Sequence, residues 1–325
     1  MTKMNKRNGT IVENMMAIRA HRRGGPEVLT YESVPLPVPK AGEVLVQVHA
    51  AGITFAELSW DETWRSKDGQ DRTPIIPAHE VSGVVSALGS GVNAFTVGDQ
   101  VFGRVGFNRD GAAAEYVTVP ATDLARRPLS VSHVESASIA MAALTAWEAL
   151  VEHAQLVKGE HVVVLGGAGG VGSLAVQLAK HLGAHVSATA ASDNLQFVSG
   201  LGADVVLDYA SISASSASIQ ADIVIDAVGG PATAAAIRMV RPGGRFVTLS
   251  QPVDAGLLTN RDISATFFVV GPNSETLAEI ARLVDAGAIR ASVAQVLPLA
   301  QARSAFEEGP SVRIPGKTVL QVLPN

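Results

Sequence analysis

The sequence contains no cysteine among its 325 residues, and its positive charges are fewer than its negative ones. Without thiols the chain can form neither a disulfide nor a thiolate metal site, and it cannot use cysteine as a catalytic nucleophile. Its 25 Lys and Arg residues against 30 Asp and Glu residues give a net charge of −5. Nucleic acids and anionic membranes favour clustered positive charge, so this composition argues against either as a partner.

Long apolar runs are also missing. The N-terminal stretch MTKMNKRNGTIVENMM is polar and lacks the apolar core of a signal peptide, and no uninterrupted apolar run is long enough to span a bilayer. We therefore expect a soluble, cytoplasmic protein. Apolar residues nevertheless make up 47% of the chain and charged residues only 17%, which suits a large buried core and two domains of ordinary size.

The chain falls into two regions of different periodicity. From Ala17 to about Pro120, short alternating strands such as EVLVQVHAAGI and AAEYVTVP lie between turn residues and predict a small β-barrel. From about Val131, strands alternate with helices, which predicts a parallel, doubly wound sheet and an α/β fold. Strand-like segments return in SVAQVLPL and KTVLQVLP, and we predict that they rejoin the β-rich domain.

A run of glycines stands where the strand HVVVL turns into a helix. Gly167, Gly169 and Gly172 match the pattern G-x-G-x-x-G. In that pattern the first glycine allows a tight turn, the second lets the backbone approach a pyrophosphate, and the third lets the helix pack closely on the strand. The helix N-terminus then offers its free N–H groups to the phosphates. We predict a Rossmann-like dinucleotide-binding domain over residues 131–271, beside a β domain formed by residues 1–130 and 272–325.

The residues after the second strand of this domain bear on the choice of dinucleotide. An NAD site usually carries Asp or Glu at this strand end, whereas this chain has TAAS, which ends in Ser192. No carboxylate at the strand end repels a 2′-phosphate, and Ser192 or Asn194 could donate a hydrogen bond to it. This pattern favours NADP (NADPH). The alternative is NAD, because no Lys or Arg follows closely and Asp193 could hold a ribose hydroxyl instead.

Longer motifs run in order along nearly the whole chain. They are PLPVPKAGEVLVQVHAAGI, PAHEVSGVVSALGSGVNAFTVGDQVFG, AAAEYVTVP, AALTAWEAL, GGAGGVGSLAVQLAKHLGA, LGADVVLDY and IDAVGG. Together these motifs resemble the medium-chain dehydrogenase/reductase superfamily, in its zinc-free quinone oxidoreductase branch. The resemblance implies a GroES-like catalytic domain and hydride transfer from NADPH to a quinone or an α,β-unsaturated carbonyl compound. It also implies a homodimer.

The resemblance assigns roles to particular residues. It implies that Thr54 and Thr145 lie near the nicotinamide and that Lys317 lies near the cofactor. It implies further cofactor contacts from Gly169, Gly170 and Val171 at the pyrophosphate, Tyr209 at the adenosine ribose phosphate, Val228 on the adenosine side, Ser250 at the end of the fifth strand, and Phe268 and Val269 at the carboxamide.

The chain departs from zinc-dependent members of this family at the metal position. Thr54 stands where they carry the first cysteine ligand, while His79 and Glu80 keep the AHE stretch that contains their ligand histidine. A metal site formed by His79, Glu80 and Glu57 is disfavoured, because two of the three usual ligands are missing. The candidate proton donors are water, Thr54 and His79.

The predicted chemistry follows from these missing ligands. Without a Lewis acid to polarise a carbonyl, quinones and conjugated enones are better hydride acceptors than simple ketones, because they delocalise the added charge. Trp60 and Trp64 could line the substrate pocket and stack on a flat acceptor, or they pack a loop on the barrel. Two alternatives stay open: a metal-free carbonyl reductase or alcohol dehydrogenase, and a non-catalytic NADPH-binding sensor.

Overall fold

The computed structural model describes residues 4–7, 10–211, 218–259, 261–311 and 313–323. The chain divides into two compact units, each formed by more than one segment. Unit 1 comprises Met1–Met141, Gly271–Asp285 and Val293–Asn325. Unit 2 comprises Ala142–Val270 and Ala286–Ser292.

The elements of the described residues are numbered in chain order. The strands are β1 (Met4–Arg7), β2 (Thr10–Ala20), β3 (Leu29–Pro35), β4 (Glu43–Gly52), β5 (Glu80–Leu88), β6 (Gln100–Arg104), β7 (Tyr116–Pro120), β8 (Leu124–Arg126), β9 (His161–Leu165), β10 (His185–Ala190), β11 (Val205–Asp208), β12 (Ala221–Asp226), β13 (Val240–Thr248), β14 (Ile263–Phe267), β15 (Val293–Pro298) and β16 (Lys317–Gln321). The helices are α1 (Asp61–Trp64), α2 (His133–Trp147), α3 (Gly170–His181), α4 (Leu195–Ser199), α5 (Thr233–Arg238), α6 (Ser274–Asp285) and α7 (Ala302–Glu308).

Unit 1 is built on a seven-stranded sheet in the order β15-β16-β4-β5-β6-β8, with β7 also paired to β4. Strand β4 is buried along most of its length because β5 pairs with one of its edges while β7 and β16 share the other. A second sheet has the order β1-β2-β3. Leu299, Phe306 and Leu320 from the C-terminal segment join Val46 and Val81 in one apolar core, so this segment completes the β unit.

Unit 2 contains a parallel six-stranded sheet in the order β11-β10-β9-β12-β13-β14. The central strand β9 is an almost continuous apolar run, HVVVL, which is typical of a parallel strand covered on both faces. The strand order reverses direction between β9 and β12. Ligands of such sheets bind at the carboxyl ends of the strands beside this reversal, and the glycine turn follows β9 there.

Helix α2 continues into a π-helical segment, Glu148–His153, and the boundary between the two units falls within α2 at residues 141 and 142. The helical segment His133–His153 is long and apolar enough to cross a bilayer by length and composition alone. Of its apolar window, 72% is buried inside the protein, as in the core helix of a globular fold.

Candidate functional site

The turn between β9 and α3 holds its backbone too close to the sheet for side chains to fit. A Cβ atom on Gly172 would lie 2.0 Å from the carbonyl oxygen of Gly166, which itself has a φ of 76°. The Gly167 N–H donates to the carbonyl oxygen of Thr189 at 2.8 Å, which ties the turn to the end of β10. A Cβ on Gly169, the residue that caps α3, would meet only the Gly166 oxygen, at 3.4 Å. This open helix N-terminus fits a pyrophosphate.

The ends of β10 and β11 meet through a carboxylate. Ala190, the last residue of β10, pairs in register with Asp208, the last residue of β11. The Ser192 hydroxyl donates to Asp208 Oδ2 at 2.5 Å, and the Ala210 N–H donates to Oδ1 at 2.9 Å. These two hydrogen bonds hold the pKa of Asp208 below its ordinary value, and the bond from Ser192 has the larger effect. The carboxylate is therefore ionised at neutral pH.

A buried carboxylate at the end of β12 organises the following loop. Asp226 Oδ1 accepts the N–H groups of Val228 and Gly229 at 3.0 and 2.8 Å, and Oδ2 accepts the Thr233 hydroxyl at 2.8 Å. Glycine is required at position 229, where φ is 75°, because a Cβ there would lie 2.2 Å from Ser250 Oγ. Two predicted cofactor residues, Val228 and Ser250, thus lie on either side of one tight turn.

The other predicted cofactor residues of unit 2 lie at strand ends or near helix ends. These are Thr145 near the end of α2, Gly170 and Val171 at the start of α3, Tyr209 directly after β11, and Phe268 and Val269 directly after β14. Thr145 is nearly buried, whereas Tyr209 and Val269 are more than half exposed. The Phe268 ring packs on His153, with ring centroids 4.4 Å apart. Their contacts with a cofactor stay predictions.

In unit 1, Lys317 connects three strands through its ammonium group. Its Nζ donates to the Thr54 hydroxyl oxygen at 3.0 Å and forms an ion pair with Oε1 of Glu80. Thr54 follows β4 and Glu80 begins β5, so the pair joins β16 to the centre of the sheet. The Glu80 side chain is completely buried, and its Oε2 accepts the Met141 N–H at 2.9 Å. The resemblance implied only that Lys317 lies near the cofactor, and its contact with Thr54 is new.

Glu57 is a second buried carboxyl group of unit 1, with 1% exposure. Its Oε1 accepts the N–H of Ala78 at 3.0 Å. Ala78 has a φ of 69°, a conformation that costs a non-glycine residue about 1–2 kcal/mol, and this hydrogen bond helps to hold it. Burial raises the pKa of Glu57 to about 8, against the lowering effects of the Ala78 N–H and of Lys317. The carboxyl group is therefore mostly protonated at neutral pH.

The surroundings of His79 do not favour its predicted role as a proton donor. Its side chain is 2% exposed, and neither ring nitrogen has a hydrogen-bond partner among the described residues. Burial lowers the pKa of His79 to about 3, and the positive charge of Arg104 is the second cause. The backbone of Val105 and Gly106 acts in the opposite direction. Its ring lies edge-on to Phe107 at 5.1 Å. At neutral pH the imidazole is uncharged and has no acidic proton to give.

The two tryptophans predicted to line a substrate pocket have different surroundings. Trp64 is 2% exposed, belongs to the core of unit 1, and donates its Nε1–H to the Leu58 carbonyl at 2.9 Å, so it is a core residue. Trp60 is half-buried and lies edge-on to Phe107, with centroids 5.2 Å apart. The guanidinium of Arg104 lies 4.0 Å from the centre of the same Phe107 ring. Only Trp60 remains a candidate for stacking on a substrate.

The side chains around Thr54 do not fit a catalytic zinc ion. Such an ion needs three deprotonated Cys, His or carboxylate ligands and an open position. A threonine stands at the first position, Glu57 is protonated, and Glu80 is held by Lys317 and a backbone N–H. Within the described part of the chain, no group of three His, Asp or Glu residues is placed to hold a metal ion.

A parallel sheet with an open glycine turn, in a chain that also carries a β-rich unit, is typical of nicotinamide-dependent oxidoreductases. Comparison with known proteins supports the same class of enzyme. Residues 40–129 match the family described as alcohol dehydrogenase GroES-like domain, and residues 201–320 match the family described as zinc-binding dehydrogenase.

Similar proteins cover both units. A mitochondrial NAD(P)H oxidoreductase of Danio rerio is 31% identical over 86% of this chain and 84% of the relative. A chloroplastic NADPH-dependent alkenal/one oxidoreductase of Arabidopsis thaliana is 31% identical over 93% of this chain and 78% of the relative. The quinone oxidoreductase of Coxiella burnetii, a solved structure, matches with a TM-score of 0.87 and 30% identity, over 95% of this chain and 99% of that one. The chain therefore belongs to the medium-chain dehydrogenase/reductase superfamily, which confirms the predicted family and fold.

Sequence reasoning missed three groups that the structure brings to these sites. Asp208 belongs to β11, whose end lies beside that of β10, so the residues that follow β10 in the sequence do not include it. Phe107 has no local pattern that distinguishes it from a core residue. The contact of Lys317 with Thr54 joins residues 263 positions apart, and no local spacing predicts it.

The protonation of Glu57 predicts a pH dependence of stability. Its folded pKa, about 8, lies above the ordinary value of 4.5. Its contribution is therefore fully present below about pH 4.5 and is lost as pH rises through 8. We expect the Tm of the wild type to fall relative to that of Glu57→Gln, whose amide stays neutral, as pH rises from 5.5 to 8.5. The free-energy slope from one such group is at most about 1.4 kcal/mol per pH unit.

Thermal unfolding by calorimetry across this pH range measures the effect. Glu62→Gln, which neutralises an exposed carboxylate on α1, is the matched control and should follow the wild type. A constant difference in Tm between the wild type and Glu57→Gln over the whole range would contradict a raised pKa.

Proposed function

We propose that this enzyme reduces quinones or α,β-unsaturated carbonyl compounds with a reduced nicotinamide dinucleotide and without a metal ion. The contact of Lys317 with Thr54 carries the proposal, because a fixed cation and a hydroxyl group stand where zinc-dependent relatives have a metal ligand. Two similar proteins support the acceptor class by their names, alkenal/one oxidoreductase and quinone oxidoreductase.

Lys317 orients the hydroxyl group of Thr54. Because Thr54 Oγ1 accepts a hydrogen bond from the Lys317 ammonium at 3.0 Å, its own proton is free to be donated to another atom. A hydroxyl group that is polarised by a cation is a stronger donor. Thr54 is thus suited to donate to a substrate oxygen on which negative charge develops.

This arrangement suits activated acceptors. A conjugated acceptor that gains a hydride at carbon places negative charge on its carbonyl oxygen, and a donor aimed at that oxygen stabilises the charge. A bound cofactor would supply the hydride, and Thr54 and Lys317 would stabilise the oxygen. A proton from water, delivered directly or relayed through the Thr54 hydroxyl group, would complete the reduction and leave Thr54 protonated. A hydroxyl group is a weaker electrophile than a zinc ion, so unactivated ketones are poorer substrates.

The sequence after β10 favours NADPH, but the glycine turn does not test this choice. The glycine turn suits either dinucleotide, because NADH and NADPH share the pyrophosphate. The similar proteins carry both NAD(P)H and NADPH in their names. The choice depends on the surroundings of the adenosine ribose, where Ser192 meets Asp208.

Turnover with a panel of acceptors tests the proposal. The purified enzyme should oxidise reduced nicotinamide, followed by its absorbance, with quinones and enones, and these rates should survive a strong chelator. Simple ketones should react much more slowly. Loss of activity with the chelator would contradict the metal-free mechanism. Tight dinucleotide binding without turnover of any acceptor would instead favour the sensor, and efficient alcohol oxidation would favour an alcohol dehydrogenase.

Substitution of Thr54 tests the proposed donor. Thr54→Val keeps the shape of the side chain but removes the hydroxyl group, and we expect kcat with an enone to fall ~10²-fold, the size of effect seen when one oxyanion donor is lost. Thr54→Ser, which keeps the hydroxyl, should retain most of the activity. The cofactor Kd should change little in either variant. An unchanged kcat in Thr54→Val would exclude Thr54 as the donor.

The edge of the unit 2 sheet supports a homodimer. Strand β14 is the last in the strand order, so among the described residues one of its edges has no partner strand. Phe267 and Val269 are 37% and 56% exposed at its carboxyl end. We expect light scattering to give twice the chain mass of 33.6 kDa, and Phe267→Glu to shift it to the monomer. Leu129→Glu, at another exposed apolar residue, is the control. A monomeric wild type would refute the dimer.

A further inference from the structure

We propose that Asp208, together with Ser192, selects NADH over NADPH by placing a carboxylate where the 2′-phosphate of NADPH would lie. The inference rests on the proposed function only in that it requires a nicotinamide dinucleotide, and it deepens that function by naming the cofactor.

The hydrogen bonds of the glycine turn locate the adenosine ribose. The N–H groups of Gly166 and Gly167 donate to the side chain and the carbonyl oxygen of Thr189, at 3.1 and 2.8 Å, so the turn lies against the end of β10. In this fold the ribose lies just beyond that strand, where a carboxylate holds its 2′-hydroxyl group. Ser192 follows Thr189 by three residues, and Asp208 is bonded to it. The carboxylate therefore reaches the ribose position from β11 instead of β10.

The hydrogen bonds of Ser192 suit a hydroxyl ligand better than a phosphate. Ser192 gives its only proton to Asp208, so it has none left for a phosphate oxygen. This differs from the expectation that Ser192 donates to the 2′-phosphate. The Ser192 oxygen and the Asp208 carboxylate are both hydrogen-bond acceptors, and the 2′-hydroxyl group of NADH is a donor.

The charge of this region also favours NADH. From Lys180 to Arg238 the sequence contains no other Lys or Arg. Lys180 itself pairs with Asp204 at 2.8 Å, and Arg290 donates to the Gly200 carbonyl at 2.7 Å. A 2′-phosphate monoester carries close to two negative charges at neutral pH. Beside an ionised carboxylate it would be repelled, and this stretch of chain offers no cation to offset the repulsion.

Binding without an acceptor tests the inference. The Kd values of NADH and NADPH are measured by the fluorescence of the bound nicotinamide for the wild type and for Asp208→Asn, which keeps the size of the side chain but removes its charge. We expect the wild type to bind NADH at least about tenfold more tightly than NADPH, a difference of about 1.4 kcal/mol. In Asp208→Asn, NADPH should bind about tenfold more tightly than in the wild type, while NADH binds no better.

Two further measurements isolate the ribose position. Adenosine 5′-monophosphate should displace NADH from the wild type more effectively than adenosine 2′,5′-bisphosphate, and Asp208→Asn should reduce or reverse this order. Glu152→Gln removes an exposed carboxylate elsewhere in unit 2 and should leave both Kd values unchanged. The effect of Asp208→Asn on NADPH should shrink as salt is raised, since screening weakens exposed charge repulsion.

The outcomes separate this inference from the proposed function. Equal or tighter binding of NADPH by the wild type, or an unchanged ratio of the two Kd values in Asp208→Asn, would overturn the role of Asp208. If Asp193→Asn changed the ratio of the two Kd values as much as Asp208→Asn does, the selectivity could not be assigned to Asp208. Tight NADH binding without reduction of any acceptor would overturn the proposed function and support the cofactor choice. Faster reduction of an acceptor with NADPH than with NADH would support the proposed function and overturn the cofactor choice.

Discussion

The ion pair between Lys317 and Glu80 joins the C-terminal segment to the centre of the unit 1 sheet. Lys317 begins β16 and Glu80 begins β5, and β4 lies between these strands in the sheet. Removing one partner of such a buried pair typically costs about 3–5 kcal/mol, because the other charge is left without compensation. The same ammonium group holds Thr54. The contact that joins these strands therefore also positions the hydroxyl group to which we assign the chemistry.

In unit 2 the corresponding constraint is close backbone approach at the carboxyl edge of the sheet. The tight contact of Gly172 with Gly166 brings α3 onto the end of β9, and Thr189 then fixes the turn against β10. At the end of β12, both carboxylate oxygens of Asp226 accept hydrogen bonds from the loop that contains Gly229 and from Thr233. Asp226 is therefore a structural residue, while Asp208, which is less buried and lies on the edge strand β11, is the carboxylate that we assign to the ribose.

Much of the fold followed from local patterns in the sequence. HVVVL coincides with β9, and the glycine pattern lies where the structure has its tight turn, because both depend only on neighbouring residues. The return of the C-terminal strands to the β unit was also predictable from the change in periodicity. The first division between the units carried no local pattern, since it falls within α2 at residues 141 and 142.

The roles of the polar side chains were harder to predict, because they depend on burial and on distant partners. His79 and Trp64 stand in motifs that suggested function, yet both are buried, and burial removes the charge of the first and the accessibility of the second. Lys317 and Thr54 are far apart in sequence, and Asp208 reaches Ser192 from a neighbouring strand. A pattern read along one strand cannot include a group supplied by the next.

The protonation of Glu57 links burial to the proposed chemistry. The Thr54 hydroxyl group contacts the Lys317 ammonium, whose charge is balanced by the Glu80 carboxylate. An ionised Glu57 would add a second negative charge close enough to influence Lys317, and it would oppose the negative charge that develops on a substrate oxygen. Because burial keeps Glu57 neutral, Lys317 can polarise Thr54. In the proposed mechanism, burial of Glu57 therefore lets Lys317 act on Thr54 as a metal ion would act on the substrate oxygen in zinc-dependent relatives.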